Sequence, residues 1–250
     1  MDDIQVSKKE SGGKKDGSGP KPLFILVVVI VIAVAAWFIG KNYSDNNSGA
    51  ATVVLSADAA ALINGEKITR DTLDRKVEQE KVNYEAQGVD FSSDPTLIDT
   101  LRKQIIQSMV NQKLVLQDAD RRNISVSESE INEQSNVIKG RFETEEAFKE
   151  ELERAKMTEE EFKNNTRDSL VLEKYVAEVT EGKPVSASEE EIEALYEQMK
   201  QSQGEEVPSF EEARTTLENQ IRNQKINQEI QVVIIDLRAE GVVKIADDLK

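Results

Sequence analysis

The sequence predicts a mostly α-helical protein, with a single N-terminal membrane-spanning helix ahead of a helical body whose two ends meet in a small two-stranded pairing. Three observations predict this. Gly and Pro are sparse, at 12 and 5 of 250 residues, and 32% of the chain is charged, which suits helices better than sheets. One uncharged run of 19 residues, Pro22 to Gly40, stands near the start. The helix-start pattern S/T-x-x-E recurs four times ahead of amphipathic runs.

The same composition narrows the function. The chain has no Cys and no His, which excludes Ser-His-Asp and Cys-His catalysis, disulfides and the usual zinc ligands. It has no G-x-x-x-x-G-K-[ST] stretch and no D-x-D-x-D-G loop, against a P-loop NTPase and an EF-hand. A net charge of −16 repels phosphate and disfavours nucleic-acid binding. That charge is uneven. Residues 1–41 hold six Lys against four acidic residues, a net of +2, which leaves −18 on the rest. A small basic end on a large acidic body suggests that the two lie in different compartments.

Residues 1–21, with "SKKESGGKKDGSG", read as a disordered cytoplasmic tail that cannot build a core. As a helix, Pro22–Gly40 reaches about 28 Å, close to a bilayer core of about 30 Å. Trp37 and Phe38 near its far end suit the membrane interface. Lys8, Lys9, Lys14, Lys15 and Lys21 precede the run and only Lys41 closely follows. The positive-inside bias then keeps the N-terminus in the cytoplasm and the body outside it. The competing reading is a cleaved signal peptide with a site near Ala33-Val34-Ala35. The length of the apolar run and of the Gly/Ser/Lys tail favours a retained anchor. Residues 41–58, containing "NYSDNNSGAA", read as a flexible tether.

The body, residues 59–250, opens with a short strand at Ala60 to Ile63, then a turn at Asn64-Gly65. Thr69 caps a helix running to about Gln87, which Gly88 ends. Asp94-Pro95 starts the longest candidate core helix, reaching about Arg122. Leu97, Leu101, Ile105 and Met109 fall on one of its faces, and Leu114 to Leu116 and Ala119 continue an apolar surface. The four start signals are Ser127/Glu130, Thr158/Glu161, Ser188/Glu191 and Ser209/Glu212. In each, the hydroxyl accepts from the N3 amide and the Glu reaches back to the cap amide. Val126 with Ile131, and Met157 with Phe162, are placed as hydrophobic staples.

Ile131 and Ile138 point inward on the helix that Gly140 ends. The next carries Ala147, Phe148 and Leu152. A longer one carries Phe162, Thr166, Leu170, Leu172, Val176 and Val179 before Gly182-Lys183-Pro184. "SEEEIEALYEQMK" buries Ile192, Leu195, Tyr196 and Met199. The last helix begins at Ser209 with one stripe, Phe210, Ala213, Leu217 and Ile221. A second stripe, Ile226, Ile230, Val233 and Leu237, follows after a step of five. That phase shift predicts two packing partners along one helix. Gly241 ends it, and Val242 to Ala246 reads as a strand. Its evident mate is Ala60 to Ile63, because a lone short strand is not stable.

"ALINGEKITRDTL" and "LRKQIIQSMVNQKLVLQDADRRNISVSESEINEQ" resemble the SurA/PrsA/PpiD family of extracytoplasmic chaperones. So do "FETEEAFKEELERAKMTEEEFKNNTRDSLVLEKYV", "VSASEEEIEALYEQ" and the closing "SFEEARTTLENQIRNQKINQEIQVVIIDLRAEGVVKI". The order of these pieces across residues 59–246 carries the resemblance. It implies that the N- and C-terminal segments pack as one helical SurA-N-like chaperone domain. It also implies one or more parvulin-type prolyl isomerase domains between them, each of about a hundred residues. Here only thirteen residues, Glu197 to Ser209, separate Tyr196 from Phe210, with a short joint at 200–209 where relatives carry parvulin. Parvulin sites use paired His and a polar or Cys partner, and this chain has neither His nor Cys.

The expected function is a membrane-anchored, ATP-independent holdase for unfolded or newly translocated polypeptides outside the cytoplasm. A membrane-tethered scaffold for one specific partner is the alternative. A prolyl isomerase is disfavoured, because the polarising His is absent. The acid-rich run "ETEEAFKEELERAKMTEEEF" reads as a solvated face with caps and pairs such as Glu145–Lys149, not as a carboxylate site. Tyr196 and Met199 are candidates to line a client groove, but core packing explains them better. No catalytic, cofactor-binding or metal-ligating residue is singled out, and no cofactor is expected.

Overall fold

A computed structural model describes residues 55–94, 96–203 and 207–250. The tail, the apolar run Pro22–Gly40 and nearly all of the tether lie outside the described residues. Among those described, no helix is long and apolar enough to cross a membrane.

β1, Ala59–Ile63, runs into β2, Glu66–Thr69, through Asn64 and Gly65. Both turn residues have positive φ, 48° and 89°, the two-residue hairpin geometry that Asn-Gly favours. Among the described residues seven helices follow: α1 (Arg70–Ala86), α2 (Thr96–Arg121), α3 (Glu128–Lys139), α4 (Glu145–Arg154), α5 (Glu159–Val179), α6 (Glu189–Gln203) and α7 (Phe210–Glu240). β3, Val243–Ile245, and a 3-10 turn at Asp247–Leu249 close the chain.

The sheet has three strands in the order β2-β1-β3, one more than the two-stranded pairing expected from sequence. The expected mates do pair: Ala61 lies opposite Ile245 and Ile63 opposite Val243, antiparallel. The addition is β2. Its EKIT sequence buries only Ile68, too little alternation to read as a strand, and the hairpin turn forces it alongside β1. β1 is the central strand, and Ala59, Ala60, Ala61 and Ile63 are all buried. Small side chains there let α2 pack close against the strand.

The capping physics holds at each expected start. Ser127, Thr158 and Ser209 form complete capping boxes with Glu130, Glu161 and Glu212. Ser188 and Glu191 make the same reciprocal pair, at 2.8 and 3.3 Å. Thr144 is a further cap, accepting from the Ala147 amide, ahead of α4. Asp94 accepts from the Thr96 amide at 2.9 Å at the start of α2.

Among the described residues, apolar side chains gather in three clusters. The main core joins β1, α1, α2, the second half of α5, the second half of α7 and Leu249. A second joins Ile192 of α6 to Ala213, Leu217 and Ile221 of α7. A third joins Phe148 and Leu152 of α4 to Phe162 of α5, with Ile138, Phe142 and Met157 against it. The phase shift in α7 therefore marks two packing partners: α6 along its first half and the main core along its second. Leu97 departs from the expected face of α2. It is exposed, because the buried stripe begins at Leu101 and runs through Ile105, Ile106, Val110 and Leu114.

Candidate functional site

The polar clusters of this frame are structural. Asp118 on α2 is buried; its carboxylate accepts from the Tyr175 hydroxyl at 2.6 Å and from Arg122 Nε at 2.7 Å, with Arg121 at 2.8 Å. Burial pushes the Asp118 carboxyl up, but the bonds from Tyr175 and Arg122 and the charges of Arg122 and Arg121 outweigh it and hold it below its ordinary value. Burial and the bond to Asp118 push the Tyr175 phenol up. The pair is thus an ionised carboxylate and a neutral phenol at neutral pH, each in its bonding form. A second cluster ties α7 to α2. Arg238 Nε donates to Asn111 Oδ1 and its Nη2 to Gln107 Oε1, both at 2.8 Å.

The acid-rich run resolves into caps and pairs. Glu145 meets Lys149 at 2.9 Å, Glu161 closes the Thr158 box and also meets Arg75 at 2.7 Å, and Glu151 pairs with Arg154. Among the described residues, no group of three or more carboxylates is placed to hold a metal ion.

The expected inter-helix joint falls between α6 and α7, which form a two-helix arm, and residues 204–206 of it lie outside the described residues. α6 and the first half of α7 pack directly on each other. The Tyr196 hydroxyl donates to the Pro208 carbonyl at 2.9 Å, and its ring meets Phe210 edge-on at 5.2 Å. Arg214 and Glu189, and Lys225 and Glu191, pair across the arm. Tyr196 and Met199 are therefore packed into the arm's own cluster and only half-buried.

The apolar side chains left in water lie elsewhere. Val82, Tyr84 and Leu97 stand around the hairpin between α1 and α2, where Tyr84 meets Phe91 edge-on at 6.4 Å. Val137 stands on α3. Val232 and Ile235, 55% and 45% exposed, share one outward stripe of α7. Sequence reasoning missed these residues, yet one signal was present. Val232-Val233-Ile234-Ile235 is four apolar residues in a row, and a helix turns about 100° per residue. Ile234 is buried in the main core and Val233 packs against it, which leaves Val232 and Ile235 outward.

Residues 18–176 match the SurA-like N-terminal domain family, 64% of the chain. The chain belongs to this family. The SurA-like match takes in β1 through most of α5, while the α6–α7 arm and β3 lie beyond it. The chain is 29% identical over 177 residues to a protein named foldase protein PrsA from Caldanaerobacter subterraneus, covering 68% of this chain and 51% of that one. It is 29% identical over 147 residues to a foldase protein PrsA from Clostridium botulinum, covering 54% and 43%. It is 29% identical over 144 residues to a chaperone SurA from Saccharophagus degradans, covering 57% and 32%. The chain thus matches about half or less of the length of these SurA-like relatives.

Proposed function

We propose that this chain is an ATP-independent holdase that binds unfolded or newly translocated polypeptide outside the cytoplasm, held to the membrane by Pro22–Gly40. The observation that carries this reading is the set of apolar side chains left in water on a helical frame: Val82, Tyr84 and Leu97, Val137, and Val232 with Ile235. The frame's own cores are complete without them. Scattered weak apolar contacts shield many different unfolded segments with little sequence preference, and the acidic surface around them keeps a loaded complex soluble. The names of the relatives, foldase and chaperone, agree with it.

In this reading the chain is not an enzyme. No His or Cys is present to polarise a prolyl bond, and the stretch of sequence between α6 and α7 is too short for an isomerase domain. The test is suppression of aggregation. An unfolding client protein mixed with a molar excess of the full chain should scatter less light than the client alone. Unchanged scattering would sink the holdase reading. A prolyl-isomerisation assay should show the uncatalysed rate, and a rate increase would overturn the non-enzymatic part. In-cell crosslinking should capture many unfolded clients; one stoichiometric folded partner would support a scaffold instead.

A further inference from the structure

The outward face of the second half of α7 has two unlike edges. Val232, Ile235 and Ala239 follow one another at steps of three and four along one line of the helix, and all are exposed. Glu229, Asp236 and Glu240, at steps of seven and four, run along one side of that line. Asp236 stands one turn beyond Val232. On the other side stand Gln231 and Arg238, and Arg238 is turned inward onto Asn111 and Gln107 of α2. The apolar line therefore has a carboxylate edge on one side and a side without an outward cation on the other.

The frame does not use up these carboxylates. Glu229 pairs with Lys183 at 2.5 Å, but Asp236 and Glu240 are exposed and have no ion pair among the described residues. Arg222, the nearest exposed base on this edge of α7, precedes Val232 by ten residues. That is about 15 Å along the axis, more than a Debye length of about 10 Å at 0.1 M salt. Glu240 also borders a groove of about 570 Å³ between α2 and the end of α7. The bases of that groove are committed, Lys113 to Glu66 and Arg121 to Asp118, which leaves Asp120 and Glu240 as its unpaired charges. Exposed apolar side chains elsewhere differ. Tyr84 and Val137 each have a base within four residues, Lys81 and Arg141.

We propose that the outward face of α7 selects client segments in which Lys or Arg stands beside apolar residues, in preference to apolar segments without a cation. The proposal rests on the holdase reading and narrows its client class. The client's apolar side chains cover Val232, Ile235 and Ala239, and its cation reaches Asp236 or Glu240. The long stem of a Lys or Arg adds apolar contact while its head stays in water. A segment carrying Glu instead meets like charge along the same edge. Exposed ion pairs are individually weak and screened by salt, so the preference is modest and fades as salt rises.

Three labelled peptides with one shared Leu/Val/Ala core, flanked by Lys, by Gln or by Glu, test it by fluorescence anisotropy on the full-length chain. At low salt the Lys-flanked peptide should bind about threefold to tenfold more tightly than the Gln-flanked one, and the Glu-flanked one more weakly than either. The Lys-to-Gln ratio should fall toward one at about 1 M salt, where the Debye length is about 3 Å. Asp236→Asn with Glu240→Gln should bring it toward one at low salt. Glu146→Gln with Glu150→Gln, at exposed positions of α4, removes the same charge and should leave the ratio unchanged. Equal binding of the Lys- and Gln-flanked peptides overturns the proposal. So does a ratio that survives Asp236→Asn with Glu240→Gln, or one that falls as far in the α4 variant. A dimer that excludes the Lys-flanked peptide would assign the face to a second copy and overturn it too. Where client aggregation is still suppressed, any of these results removes the selection and leaves the holdase. Loss of both peptide binding and suppression removes both.

Discussion

The Tyr175 hydroxyl donates to Asp118 Oδ2 at 2.6 Å, across 57 residues of sequence, and so joins α5 to α2 inside the main core. Tyr175 is fully buried, and Arg122 lies over its ring at 5.6 Å. Tyr175→Phe keeps the packing and removes one hydrogen bond to a charged acceptor. The expected loss is about 1.5–3 kcal/mol. Urea unfolding should show a lower midpoint with an unchanged slope. A variant as stable as the parent would mean that the bond adds nothing beyond the ring's packing.

Glu130 carries a pH dependence. The hydrogen bond from Lys174, then the Ser127 amide and hydroxyl, hold its carboxyl down to about 2 from an ordinary 4.5. A lowered folded-state value means that the stabilisation is fully present above about pH 4.5. It is lost as pH falls through about 2, where Glu130 takes up a proton in the folded state too. Lys174→Met should raise the Glu130 titration midpoint, read by carboxyl NMR, toward 4.5. The Ser127 cap should persist in that variant.

The α6–α7 arm should loosen by itself. Ile192 and Leu217 sit in a cluster that the main core does not share. Leu217→Ala is expected to cost the arm about 2–5 kcal/mol. Amide exchange should rise through α6 and the first half of α7 and stay slow at Ile106, Val110 and Leu114 of α2. Equal loss of protection in α2 would mean that arm and core unfold as one unit.

Asn64 works at one spot in two ways. Its backbone adopts φ 48° for the turn, and its side chain accepts from the Val242 amide at 2.8 Å and donates to Gln117 Oε1 at 2.9 Å. Gly65 follows at φ 89°, where a side chain is strained. Asn64→Gly keeps the turn and loses both side-chain bonds, with an expected cost of about 1–2 kcal/mol in thermal or urea unfolding. Asn64→Asp keeps the acceptor for Val242 and should cost less.

The outward stripe of α7 gives a functional prediction. Val232→Lys with Ile235→Lys changes two exposed positions, so the melting temperature should stay within a few degrees of the parent. Suppression of client aggregation should weaken severalfold. Full suppression by the double variant would remove this stripe from the client surface.

The sequence alone determined what depends on near neighbours. The capping boxes at Ser127, Thr158 and Ser209 reach three residues, the Asn64-Gly65 turn needs only its own backbone preference, and the step of five in α7 is a phase relation within one helix. Even β1 with β3 was legible, because two short strands at the ends of the body each needed a mate. Tertiary structure decided the rest. β2 is a strand because the turn lays it on β1, although three of its four residues are not buried. Leu97 shares a helical face with Leu101 and yet is exposed, because the buried stripe of α2 begins only at Leu101. Asp118 and Tyr175 carry no local signal of each other. The candidate surface was half-legible: four apolar residues in a row at Val232–Ile235 cannot all face one side of a helix, but only the packing of α7 chose which two stayed outside.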